Sequence, residues 1–166
     1  MRNIIQLEQQ GAARFFGEPS FDVNELCRTD TNGKGIISIL RLIDLMERPQ
    51  LFSTFMLQIL AEVYDRFPEV GDREYPKLML CIDEAHLVFE KATDALLDQI
   101  KTVVKLIRSK GVGIIFITQN PDDIPQEVLG QLGLKVQHAL RAFTARDRKA
   151  IKRAAENFPE SPHYQI

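Results

Sequence analysis

No glycine-rich phosphate loop of the form G-x-x-x-x-G-K-S/T occurs in these 166 residues. The one Gly-Lys pair, Gly33-Lys34 in "NGKGI", has no glycine five residues before Gly33 and no Ser or Thr after Lys34, so Lys34 reads as part of a turn. Cysteine is scarce. Cys27 and Cys81 lack metal-ligand spacing, and Cys81 lies in an apolar run that reads as a buried strand, which suits a reducing compartment without disulfides. Histidines are few as well: His86, His138 and His163 stand in no ligand spacing, which argues against a hydrolytic enzyme with a directly bound metal. Charge is nearly balanced, 21 basic against 23 acidic residues for a formal net charge of -2, so no global basic field draws the chain onto nucleic acid or an anionic membrane. Any DNA contact must come from a local patch or from residues elsewhere. No segment approaches the length of a membrane span, and "MRNIIQLEQQ" lacks the core of a signal peptide, so a cytoplasmic location is expected.

What is present is enough for one domain of ordinary size, with 45% hydrophobic residues to fill a core. A helix-like start leads into "FFGEPSFDVNELCRTDTNGKG", rich in turn formers, so residues 1–33 are expected to wrap the domain. "GIISILRL", residues 35–42, is apolar and β-branched and is expected to be the first of four strands. Pro49 suits the first turn of a helix, and the apolar residues from Leu51 to Val63 recur on one wide face. The run from Lys77 to Ile82 reads as a strand covered on both faces and ending at Asp83. A helix marked by Leu96, Ile100, Val103 and Ile107 should stop at Gly111, before a buried strand "VGIIFITQ". "LKVQHALRAF" is expected as the fourth strand. Thr144 with Asp147 resembles a capping box that opens a basic helix, and residues 159–166 form a tail. Helices alternating with double-sided apolar strands indicate an α/β fold with a mostly parallel sheet.

Binding residues in such sheets collect at the carboxyl ends of strands. Asp83 and Glu84 stand at one such end. Phosphoryl transfer needs a carboxylate to fix Mg²⁺, often through water, and a polar or acidic group to orient the attacking water. Asp83 fits the first role and Glu84 the second, although two acids after a strand also cap a following helix. Thr118 and Gln119 end the next strand, where a polar side chain could sense a terminal phosphate or simply start a turn. Arg108 precedes that strand and could face a neighbouring subunit, or serve as a cation at a helix C-terminus.

"LMLCIDEAHLVFEKA", "LIRSKGVGIIFITQNPDDIP", "VLGQLG" and "VQHALRAFTARDRKAI" together resemble the C-terminal half of the motor domain of HerA-like ATPases, in particular the YjgR-like branch, relatives of the FtsK-type DNA translocases. The resemblance runs from about residue 16 to about residue 158. It implies a partial RecA-like P-loop NTPase sheet over residues 34–158, with the P-loop strand missing, and an ATPase using ATP and Mg²⁺. It also implies Walker B roles for Asp83, the Mg²⁺ partner through water, and for Glu84, with Gln119 as the polar residue ending the next strand. Arg108, or alternatively Arg141 in "ALRAF", would act across the boundary between subunits of a ring, a hexamer, with DNA, or alternatively protein, as the substrate moved. His86 follows the acids as in other "DEAH" strings and is read as structural.

Without the P-loop amides, its Lys and its Ser/Thr, the chain alone should bind ATP poorly and hardly hydrolyse it. The P-loop strand would lie between the strand ending at Gln119 and the one carrying Arg141, so its loss leaves a slot in mid-sheet. The basic residues Arg146, Arg148, Lys149, Lys152 and Arg153 could touch DNA or form a solvated face. The alternative to a motor half is a non-catalytic binding or assembly module built on an ATPase-like scaffold.

Overall fold

The structure is a computed structural model that describes residues 22–71, 73–119 and 123–136, together with residues 145, 148, 149 and 152. Its elements in order are a 3-10 helix (Val23–Cys27), α1 (Ile43–Met46), α2 (Pro49–Arg66), β1 (Leu78–Ile82), α3 (His86–Phe89), α4 (Asp94–Leu106) continuing as a 3-10 turn (Ile107–Lys110), β2 (Val112–Phe116) and α5 (Gln126–Leu129). The fold is α/β: β1 and β2 pair in parallel, from Leu78 opposite Val112 to Ile82 opposite Phe116, with helices packed against them.

Pro49 does open α2, in the first turn where its missing N–H has no partner to lose. Pro68 follows the last turn and holds Phe67 extended at ψ 133°, which ends the helix. Between them Leu51, Leu60 and Val63 are completely buried, each stabilising the fold by about 1.5–3 kcal/mol relative to exposure. Thr93 caps α4 by accepting a hydrogen bond from the Leu96 N–H at 3.3 Å. The apolar side of α4, Ile100, Val103 and Val104, faces the same core.

The sheet departs from the expectation of strands buried on both faces. Leu78, Leu80 and Ile82 of β1, with Val112, Ile114 and Phe116 of β2, meet the helices. On the opposite face Met79 and Ile115 are 48% and 44% exposed, and Cys81 is exposed rather than buried. The residues alternate because side chains of a strand alternate between faces, and the described helices cover one face. "GIISILRL" is not a strand either. Gly35 makes one antiparallel bridge with Thr29, after which Ile37 and Ile39 lie 89% and 82% exposed. A β-branched run becomes a strand only when a neighbour pairs with its backbone, and beyond Ile36 this run has no such neighbour among the described residues. Residues 134–136 carry no strand; the rest of "LKVQHALRAF", the capping box and the tail lie outside the described residues. Arg148, Lys149 and Lys152 are helical and exposed.

Lys34 belongs to a turn, as its sequence implied. Asp30 Oδ1 accepts from the N–H groups of Lys34 (2.8 Å) and Asn32 (2.9 Å), which holds its carboxyl below the usual aspartate range. Gly33 completes the turn at φ 77°.

Gly111 ends the helical segment in the left-handed conformation, φ 72°. A Cβ there would come within 2.8 Å of Val70 Cγ2, while one at Gly113 would meet the flexible thioether end of Met79 at 2.8 Å. Gly111→Ala should therefore destabilise the fold by about 1–3 kcal/mol, and Gly113→Ala by under about 1 kcal/mol. Urea unfolding measures both; equal losses would show that the left-handed cap carries no special weight.

Candidate functional site

The parallel ladder does not stop where β1 and β2 stop. Ile117 donates its N–H to the Ile82 carbonyl, and Ala85 donates its N–H to the Ile117 carbonyl, both at 2.9 Å. These two bonds keep the Asp83-Glu84-Ala85 turn alongside Thr118 and Gln119, at the carboxyl end of both strands. Glu84 turns the chain in the left-handed region, φ 48°, the one described non-glycine residue with positive φ. Its N–H donates to Asp83 Oδ1 at 3.0 Å, which helps hold that conformation.

The Glu84 carboxylate is gripped on both oxygens. Gln119 Nε2 donates to Oε1 at 3.2 Å, and His86 Nδ1 lies 3.2 Å from Oε2. Glu84 and His86 each remain about a third exposed, so solvent reaches the carboxylate. A cavity of about 480 Å³ opens over it, lined by Glu84, His86, Thr118, Gln119 and Asp123 with Met46 and Leu87 as the apolar wall. That combination of a few convergent polar groups and an apolar wall suits a ligand site.

α3 fixes the geometry from behind. It is one turn long and has no side-chain cap, so its buried face must hold it. Leu87, Val88 and Phe89 are all buried, Phe89 lies 5.7 Å from the Phe116 ring of β2, and the buried Ser53 hydroxyl of α2 is 3.1 Å from the Leu87 carbonyl. The strand end and the helix start are thus clamped to one another.

Of the residues singled out in the sequence, the structure brings Glu84, Thr118 and Gln119 together around the cavity, with Asp83 exposed beside them. Arg108 is elsewhere. It is exposed and precedes β2, whose five residues alone span roughly 16 Å, so it stands at the opposite end of the sheet from Gln119. Arg141 lies outside the described residues. Asp123 and Met46 are additions to the site; Asp123 could have been suspected as an acid just after the run that ends in Thr118 and Gln119, whereas nothing in the sequence places Met46 there.

Among the described residues no three His, Cys, Asp or Glu converge to hold a metal. One carboxylate at a strand end fits Mg²⁺ held through water and phosphate oxygens, not a cage made of protein ligands. Among the same residues no helix is long and apolar enough to cross a membrane.

A protein of Methanocaldococcus jannaschii named a probable helicase is 31% identical to this chain over 126 residues, covering 73% of the chain and 24% of that protein. The chain thus spans about a quarter of the length of the curated relative it matches. No solved structure matches it. The profile described as helicase HerA-like C-terminal matches residues 1–166, and the chain belongs to that family.

Proposed function

We propose that this chain is the Walker B and sensor half of an ATP-hydrolysing ring motor, cytoplasmic and acting on DNA as a helicase or translocase. The observation that carries the reading is the contact between Glu84 and Gln119 across the ends of neighbouring parallel strands. In this reading Glu84 accepts a proton from the attacking water, and Gln119 with Thr118 positions that water or meets the terminal phosphate. Asp83 is the carboxylate that would hold Mg²⁺ through its water shell. The ion, when bound, neutralises charge building on the phosphate oxygens. Arg108 cannot reach its own Glu84 from the other end of the sheet, which supports a role on a neighbouring subunit's nucleotide; Arg141 is the second candidate for that role.

The chain lacks the residues that bind most of the phosphate charge, so a segment with G-x-x-x-x-G-K-S/T must complete the site. ATP turnover by the protein of the full reading frame, with and without double-stranded DNA, tests this. The long form should turn over, its Glu84→Gln variant should lose at least about 100-fold, and the 166-residue chain should show nothing above that variant. A Glu84→Gln variant as active as wild type, or a reading frame without such a segment, would sink the motor reading.

A further inference from the structure

Glu84 and His86 are two residues apart, a spacing at which side chains of a regular helix do not face one another. They meet here because Glu84 turns left-handed immediately before α3 begins at His86. The contact is therefore made by the turn, at some backbone strain, and not by helical neighbourhood. The imidazole also stands on a firm base: the three residues after it are buried, and α3 is tied to α2 through Ser53 and to β2 through Phe89.

The two grips on Glu84 are not equivalent. Gln119 is the side chain assigned to water or phosphate, and an amide that swings toward a phosphate oxygen gives up its hold on Oε1. His86 has no such second duty. We infer that His86 is the positioning residue of the catalytic carboxylate: its Nδ1–H holds Glu84 Oε2, leaving Oε1 aimed at the attacking water when Gln119 engages the nucleotide. The inference rests on the reading of Glu84 as the base, and it reverses the structural role expected of His86 from sequence.

This requires the imidazole to carry its proton on Nδ1 when neutral, and the requirement can be read without any activity. The chain has three histidines, so nitrogen-15 correlation spectra above about pH 8, where imidazoles are neutral, are assignable by substitution. His86 should show the Nδ1–H tautomer and should lose it in Glu84→Ala. An Nε2–H tautomer in the wild type would overturn the inference. In the full-length protein, His86→Ala should lower kcat about 10- to 100-fold with KM for ATP within twofold. His86→Asn, whose amide N–H occupies the Nδ1 position, should recover most of that loss, while His86→Gln, whose amide reaches the Nε2 position, should not. Melting curves for the three variants exclude unfolding as the cause. Wild-type kcat in His86→Ala, or Asn no better than Gln, would also overturn it. Failure of the motor reading is separately visible as undiminished turnover in Glu84→Gln, and the tautomer still decides the His86 contact in that case.

Discussion

Glycine in place of Glu84 should give a protein that melts higher and, in the full reading frame, loses the ATP turnover proposed for it. Glu84 sits at φ 48°, where a side chain crowds its own backbone at about 1 kcal/mol or more and where glycine is at ease. Glycine gives back part of that gain through the greater freedom of the unfolded chain. The side-chain bonds lost are to groups about a third exposed, which limits their weight. A net gain of about 0.5–1 kcal/mol, or roughly 1–4 °C in melting temperature, is expected. On the role proposed for Glu84, removal of its carboxylate should meanwhile lower turnover of the full-length protein about 10²- to 10⁴-fold. Glu84→Ala is the control, since it keeps the strain and loses the carboxylate. Melting of Glu84→Gly at or below that of Glu84→Ala would show the turn is unstrained; a high residual turnover would remove Glu84 from the chemistry. A non-glycine residue in the left-handed region whose carboxylate lines the cavity marks the site more firmly than the DEAH string does.

The elements that could be read in the sequence were those whose signals are local. α2 announces itself through Pro49, its apolar period and Pro68; α4 through its apolar face and Gly111; β1 and β2 through short apolar runs ending in polar residues. Asp83, Glu84, Thr118 and Gln119 could be placed because strand ends of a parallel sheet gather on one side. What could not be read depends on partners. "GIISILRL" carries the composition of a strand, but pairing makes a strand, and beyond Ile36 none is made among the described residues. The exposure of Cys81 and Met79 depends likewise on what covers the second face, about which an apolar run is silent. The left-handed turn at Glu84 has no glycine to advertise it, so the approach of His86 to the carboxylate was invisible in the sequence.

The largest expected loss of stability comes from Phe89→Ala. Phe89 is 7% exposed, belongs to the core beneath the Asp83-Glu84-Ala85 turn, and tilts by 60° against Phe116 at 5.7 Å between ring centres. Truncation removes a large buried area and leaves a cavity, which costs about 3–5 kcal/mol, and the ring pair adds about 0.5–1.5 kcal/mol of its own. A domain holds only about 5–15 kcal/mol in all, so a fall of about 10 °C or more in melting temperature should follow. Phe89→Leu refills most of the space and should lose less than half as much. The substitution also reaches the chemistry. α3 is a single turn that exists only while its apolar side is packed, and His86 is its first residue. At temperatures where calorimetry finds Phe89→Ala fully folded, turnover of the full-length variant should still lie below wild type, because the imidazole proposed to hold Glu84 is no longer backed by a fixed helix. Wild-type turnover in the folded variant would mean that Glu84 is held by Gln119 and the turn alone.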